Sequence, residues 1–190
     1  EGSYSLNPGR GEDYMALFAD LSLDQRVPKR IVHLWNVTAS RDFQSREEFA
    51  ERCREQGFLS LIYLAQAYDS LGRNDLLHIG VVSNNMQEVN DGDLTMPEKA
   101  TLLGACKVIP REFPHIDVRS IDVVIPPNAK TRAVLVDQLL GELALTSSDT
   151  VIAYRGRRRW LQTYEPATLG PVTPETDRLR KGGVYLITGG

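Results

Sequence analysis

The sequence predicts an α/β fold: a parallel sheet with flanking helices and a C-terminal β-hairpin. Three observations predict it. Short apolar β-runs alternate with amphipathic helical stretches, so that strand–helix units follow one another three times along the chain. Breakers fall between the units, at Gly72, Asn90-Asp91-Gly92-Asp93 and Pro126-Pro127-Asn128. After the third helix the pattern changes to two β-runs joined by Arg155-Gly156-Arg157-Arg158.

The elements follow in order. Residues 1–29 are turn-rich around Asn7-Pro8-Gly9, and Tyr14, Leu17, Phe18 and Leu21 then recur at helical spacing. Ile31-Val32-His33-Leu34-Trp35 reads as the first strand. A helix from about Arg46 to Leu71 follows, with Ser45 and Glu48 placed as a capping box and Gly57 as an interruption. The second strand is Leu76 to Ser83. The second helix starts near Met96, with Thr95 and Glu98 as a capping pair, and Pro110 is expected to end it after about Val108. The third strand lies in Ser120 to Ile125. Asn128 then caps a helix over about Ala129 to Leu145, carrying Ala133, Val134, Val136, Leu139, Leu140 and Leu143. The hairpin pairs Thr150–Tyr154 with Arg159–Tyr164. Residues 166–182 hold three prolines and two glycines and read as a linker.

Composition narrows the function classes. The chain has 190 residues, 42% apolar and 25% charged, which suits a globular domain with an ample core. A net charge of −3 gives no global attraction to nucleic acid or to an anionic membrane. No apolar run approaches the ~20 residues of a spanning helix. The first residues lack the basic and apolar regions of a signal peptide. Cys53 and Cys106 have no metal-type spacing and read as reduced, buried thiols of a cytoplasmic protein.

Catalytic motifs are missing from the sequence. No tyrosine has a lysine four residues on, the arrangement that lowers a phenol's pKa for proton donation. Tyr154 comes closest, with Arg158 at that offset. His33 and His78 read as core histidines, His115 as a solvated loop residue. Asp91 and Asp93 read as a solvated turn rather than a cation site. The arginines at 155 and 157–159 read as a hairpin tip facing an acidic surface, with a nucleic-acid patch as the other reading. No metal site is expected.

Two turns decide how the chain could meet a nucleotide. In an open parallel sheet a ligand sits beyond the strand C-terminal ends, and a dinucleotide needs glycines in the first strand–helix turn so that backbone can approach the pyrophosphate. Here that turn is Asn36-Val37-Thr38-Ala39-Ser40, without a glycine. The chain's last residues behave differently. Gly183-Val184-Tyr185-Leu186-Ile187-Thr188-Gly189-Gly190 is a β-run leading into Thr-Gly-Gly, the start of such a turn. Thr188, Gly189 and Gly190 are therefore the candidate cofactor-binding residues, and no catalytic residue is assigned. The chain reads as a piece that precedes a nucleotide-binding domain.

Four ordered segments carry a resemblance. Ile31 to Trp35, Pro97 to Pro114 leading to Ile121-Asp122, Ala153 to Arg159, and Gly183 to Gly190 together resemble the ketoreductase region of modular polyketide synthases. The resemblance covers about residues 30–190. In that family the first half is a truncated Rossmann-like structural subdomain without cofactor, and the second binds NADPH and carries the catalytic Lys, Ser, Tyr and Asn. The resemblance implies a lead-in over 1–29, the structural subdomain over 30–166, a linker over 167–182, and the first strand and glycine turn of the catalytic half over 183–190. It also implies NADPH for the parent reductase and none for this piece. The implied partners are the catalytic subdomain, neighbouring synthase domains, and an acyl carrier protein bearing its substrate on phosphopantetheine. The parent would reduce β-ketoacyl thioesters to β-hydroxyacyl thioesters. Two alternatives remain: a carrier-protein or domain-docking module, and a nucleotide-binding oxidoreductase in its own right.

Overall fold

A computed structural model describes residues 2–38, 45–145, 147–168, 180 and 182–189. Its centre is a five-stranded sheet in the order β1-β2-β3-β4-β5, comprising Arg30–Asn36, Leu77–Asn84, Ile116–Val123, Val151–Arg155 and Arg158–Leu161. The first four strands run parallel, and β5 returns antiparallel to β4. The expected α/β class with a closing hairpin is the observed one.

Alternation along β2 and β3 divides the core. Leu77, Ile79 and Val81, with Ile116 and Val118 beside them, face one side and pack against α1 (Gly11–Leu23), α3 (Ser60–Asp69) and α4 (Thr101–Glu112). Tyr14, Phe18, Leu61, Tyr68, Leu102 and Ile109 fill that layer and are almost wholly buried. Val82, Ile121 and Val123 face the other side, where Leu135, Leu139 and Leu143 of α5 (Ala129–Ala144) cover them. Helices thus lie on both faces. A Cβ at Gly80 would collide with Leu143 Cδ2, so the missing side chain lets the C-terminal turn of α5 rest directly on β2.

Local signals explain most boundaries. Ser45 accepts the N–H of Glu48 at 3.1 Å and starts α2 (Arg46–Cys53). Asn128 accepts the N–H of Thr131 at 2.9 Å and starts α5. The hairpin turns at Gly156, with φ +60°.

The structure corrects several expectations. The long helix over 46–71 is α2 and α3 joined by a π-helical turn over Arg54–Leu59, which holds Gly57. Thr95 does not cap the next helix. The chain enters it through a 3₁₀ turn, Pro97–Ala100, preceded by Met96. Pro110 does not end it either. α4 runs to Glu112, because Pro110 loses only one backbone bond and the amide of Phe113 still reaches Ile109 O at 2.8 Å. β3 starts four residues earlier than expected, since burial between β2 and β4 admits polar Asp117, Arg119 and Ser120 into its pattern. Val136 and Leu140 of α5 are exposed, while Glu142 is buried. The run Val184–Ile187, read as the first strand of a following subdomain, joins none of the described strands and is largely exposed.

Candidate functional site

The C-terminal edge of β1–β4 is the candidate site, because all four strands end on one side there. Helices α2, α3 and α4 follow β1 and β2 on one face, and α5 follows β3 on the other. The connections leaving β2 and β3 therefore diverge, the layout that opens a ligand crevice in α/β sheets. What fills that edge decides what the domain can bind.

At the ends of β1 and β2 stands Lys99, delivered by the 3₁₀ turn Pro97–Ala100 and wholly buried. Its Nζ donates to Asn36 O at 2.9 Å, Asn84 O at 2.9 Å and Asn84 Oδ1 at 2.7 Å. An ammonium has three protons, and all three are used. Burial pulls its pKa down from 10.5 to about 8, with Asp122 opposing the shift. Asn84 ties the turn after β1 as well. Its Oδ1 accepts the amide of Thr38 at 2.8 Å, and its Nδ2 donates to Thr38 O at 2.9 Å. Asn36 and Thr38, in the described part of the turn without glycine, are thus tied to Lys99 and Asn84, and the ammonium of Lys99 sits against the ends of β1 and β2.

At the ends of β2 and β3, Asp122 is wholly buried. It accepts the amides of Met86 and Gln87 at 2.8 and 3.2 Å, the hydroxyl of Ser83 at 3.3 Å and Nη2 of Arg155 at 2.8 Å. Arg155 also donates to Gln87 O at 2.7 Å and to Asp93 Oδ2 at 2.7 Å. This clamp draws the chain between Asn85 and Asp93 over the diverging connections. Asp93 is consequently no solvated turn residue: the Arg155 guanidinium, with the amides of Val89 and Asn90, holds its carboxyl down to about 2.

A second buried network sits on the α5 face. Glu142 accepts from Arg119 at 3.2 Å, from Arg159 at 2.6 and 3.0 Å, and from the Tyr154 hydroxyl at 2.7 Å. Burial, then the carboxylate, pushes the Tyr154 phenol up to about 12. Tyr154 is therefore a structural donor and not a poised acid, and it answers to Glu142, not to Arg158.

The remaining candidates separate cleanly. His33 is buried, shares a 2.8 Å hydrogen bond with Ser60 Oγ and is pulled down to about 4 by burial. His78 meets Asp117 at 3.2 Å. His115 is half-buried against the Tyr68 ring at 5.9 Å, not simply solvated. Burial pushes the thiols of Cys53 and Cys106 up, to about 11 and about 12. Among the described residues no group of three or more His, Cys, Asp or Glu could hold a metal ion. Thr188 and Gly189 lie on an exposed stretch, and Gly190 lies outside the described residues. Sequence reasoning missed Lys99, Asp122 and Glu142. A lone lysine behind a proline and an acidic residue within an apolar helix face carry no signal until the sheet assembles around them.

A family model described as beta-ketoacyl synthase-like, N-terminal, matches residues 1–142. Among solved structures, the chain is similar to one described as "Adenylation, ketoreductase, and pseudo Asub multidomain structure of a keto acid-selecting NRPS module". The two share 26% identity with a TM-score of 0.69 over 80% of this chain, which spans 12% of that one. No curated protein sequence matches. Among the described residues no helix is long and apolar enough to cross a membrane.

Proposed function

The chain belongs to the beta-ketoacyl synthase-like, N-terminal family, and on that footing we propose that it is the non-catalytic, structural half of a ketoreductase region in a multidomain synthase. The observation that carries this reading is Lys99. A nucleotide-type sheet whose first turn is plugged by a fully engaged, buried ammonium has given up its own phosphate site. The Asp122–Arg155 clamp closes the neighbouring crevice in the same way. The similar solved structure, which includes a ketoreductase in its module, supports the placement.

In this reading the partner is a catalytic subdomain that holds NADPH, with Thr188, Gly189 and Gly190 at the start of its glycine turn. Its reaction is reduction of a β-ketoacyl thioester, carried by an acyl carrier protein, to the β-hydroxyacyl thioester. The present chain contributes a rigid flank. Its buried ion pairs fix the sheet edge and the hairpin, and so hold the partner half in one orientation. A carrier-docking role has one observation in its favour: Arg157 and Arg158 at the hairpin tip are exposed, whereas Arg155 and Arg159 are turned inward to Asp122 and Glu142.

Calorimetric titration of NADPH into the chain tests the proposal. No heat of binding up to millimolar cofactor is expected. Micromolar affinity would overturn the structural reading in favour of an oxidoreductase in its own right.

A further inference from the structure

Asp91 and Asp93 share one turn, and the fold treats them in opposite ways. Asp93 is tied down: its carboxylate accepts from Arg155 Nε at 2.7 Å and from the amides of Val89 and Asn90 at 3.1 and 3.3 Å, and its own amide donates to Asn90 O at 3.0 Å. Asp91 and Gly92 are exposed. Among the described residues no hydrogen bond or ion pair engages the Asp91 carboxyl, the Asp91 carbonyl or the Gly92 amide. Gly92 has φ +84°, and nothing stands within 4 Å of the place a Cβ would take. The peptide plane between Asp91 and Gly92 can therefore rotate without breaking a hydrogen bond elsewhere in the turn.

The pair is also singular in the sequence: no other aspartate or asparagine is followed by glycine. An aspartyl carboxyl reaches the nitrogen of the next residue through a five-membered ring, and a side chain on that residue obstructs the approach. Asp69 precedes a small serine, but the amide of Ser70 is held by Gln66 O at 3.0 Å. Asp117 and Asp122 lie in β3, each followed by a valine. We propose that Asp91-Gly92 is a site of spontaneous backbone isomerisation, and that its conversion releases the Asp93 arm of the Arg155 clamp.

The Gly92 nitrogen attacks Cγ of Asp91. A C–N bond forms, the amide proton leaves, and the Cγ–OH bond breaks to release water, which gives a cyclic imide. Water then adds at the former backbone carbonyl, whose bond to nitrogen breaks. The chain now runs through Cγ, and the old carbonyl becomes a free carboxylate. One water is lost and one gained, so no oxidant or cofactor enters. The backbone gains a methylene, about 1.5 Å of chain. It does so inside a turn that Asp93 N and Asn90 O close at 3.0 Å. Asp93 is thereby displaced from Arg155, whereas Asp122 keeps its own hold on that guanidinium. The inference stands apart from the ketoreductase reading.

Incubating the folded chain at neutral pH, followed by isoaspartyl methyltransferase labelling and peptide mapping with electron-transfer fragmentation, tests it. Isoaspartate is expected to accumulate with time at position 91 ahead of every other aspartate. Gly92→Ala should slow it about tenfold, because a side chain crowds the nitrogen and restricts φ. Asp91→Glu, which would need a six-membered ring, should abolish it with an unchanged circular dichroism spectrum. The isomerised fraction, separated by ion exchange, should melt below the fresh chain, and Asp93→Asn should narrow that difference. A folded chain that forms no isoaspartate at position 91, or forms as much at other aspartates, overturns the proposal. Equal melting of isomerised and fresh chains overturns its link to the clamp.

Discussion

A single buried cation shows how a residue can close a site. Lys99 has no carboxylate in hydrogen-bond contact, and its charge is held by three oxygens at the strand ends. Its depressed pKa means that folding at alkaline pH releases a proton. Between about 8 and 10.5 the unfolded chain holds more protons than the folded one, so the Lys99 contribution to stability rises with pH through that window. Lys99→Met should remove three buried hydrogen bonds and cost about 3 kcal/mol at pH 7, at about 1 kcal/mol for each. The stability gap between parent and variant should then widen from pH 8 to pH 10. Urea denaturation at several pH values measures both effects, and a gap that is flat with pH would mean that Lys99 is not the titrating group. Asp122 and Arg155 show the complementary case, in which a buried carboxylate is matched by a guanidinium and by backbone amides.

Elements here are fixed at their ends as much as along their faces. α5 is anchored at its start by Asn128 and, in its last turn, by Glu142, which gathers Arg119 from β3, Arg159 from β5 and Tyr154 from β4. One helix thus ties three strands, and the hairpin cannot move independently of it. Asn128→Ala should cost about 1 kcal/mol, the usual worth of a side-chain N-cap, read as a lower urea midpoint with an unchanged slope. A loss below about 0.3 kcal/mol would show that the Pro126-Pro127 approach, and not the cap, sets the start of α5. α4 makes the opposite point: it tolerates Pro110 because its apolar face, Leu102, Ala105, Cys106 and Ile109, is buried against the sheet and outweighs one lost backbone bond.

Over the whole molecule the ion pairs at the sheet's C-terminal edge and on its α5 face set the acid limit. Asp93, Glu142 and Asp149 all have carboxyl pKa values depressed by arginine partners. A depressed carboxyl contributes stability that is complete above its unfolded value and is lost as pH falls through the folded one. The chain should therefore hold its fold through pH 5 and lose stability from about pH 4 towards pH 2. Asp93→Asn should flatten part of that slope; thermal melting at stepped pH measures it, and identical slopes for parent and variant would remove Asp93 from the account.

The sequence by itself determined the class and order of this protein: strand–helix units, two side-chain caps, a glycine-turned hairpin and a first turn without glycine. These are local signals, written in periodicity and in residues that cap or break backbone, and they persist wherever the chain folds. Only the tertiary structure decided what occupies the strand ends. Lys99 is brought to Asn36 and Asn84 across separations of 63 and 15 residues, and Arg155 to Asp93 across 62. It also decided that Asp122 and Glu142 are buried acceptors and that His115 stacks on Tyr68. Such facts depend on which chain segments meet, and a polar residue announces its partner only when burial leaves it no water to choose instead.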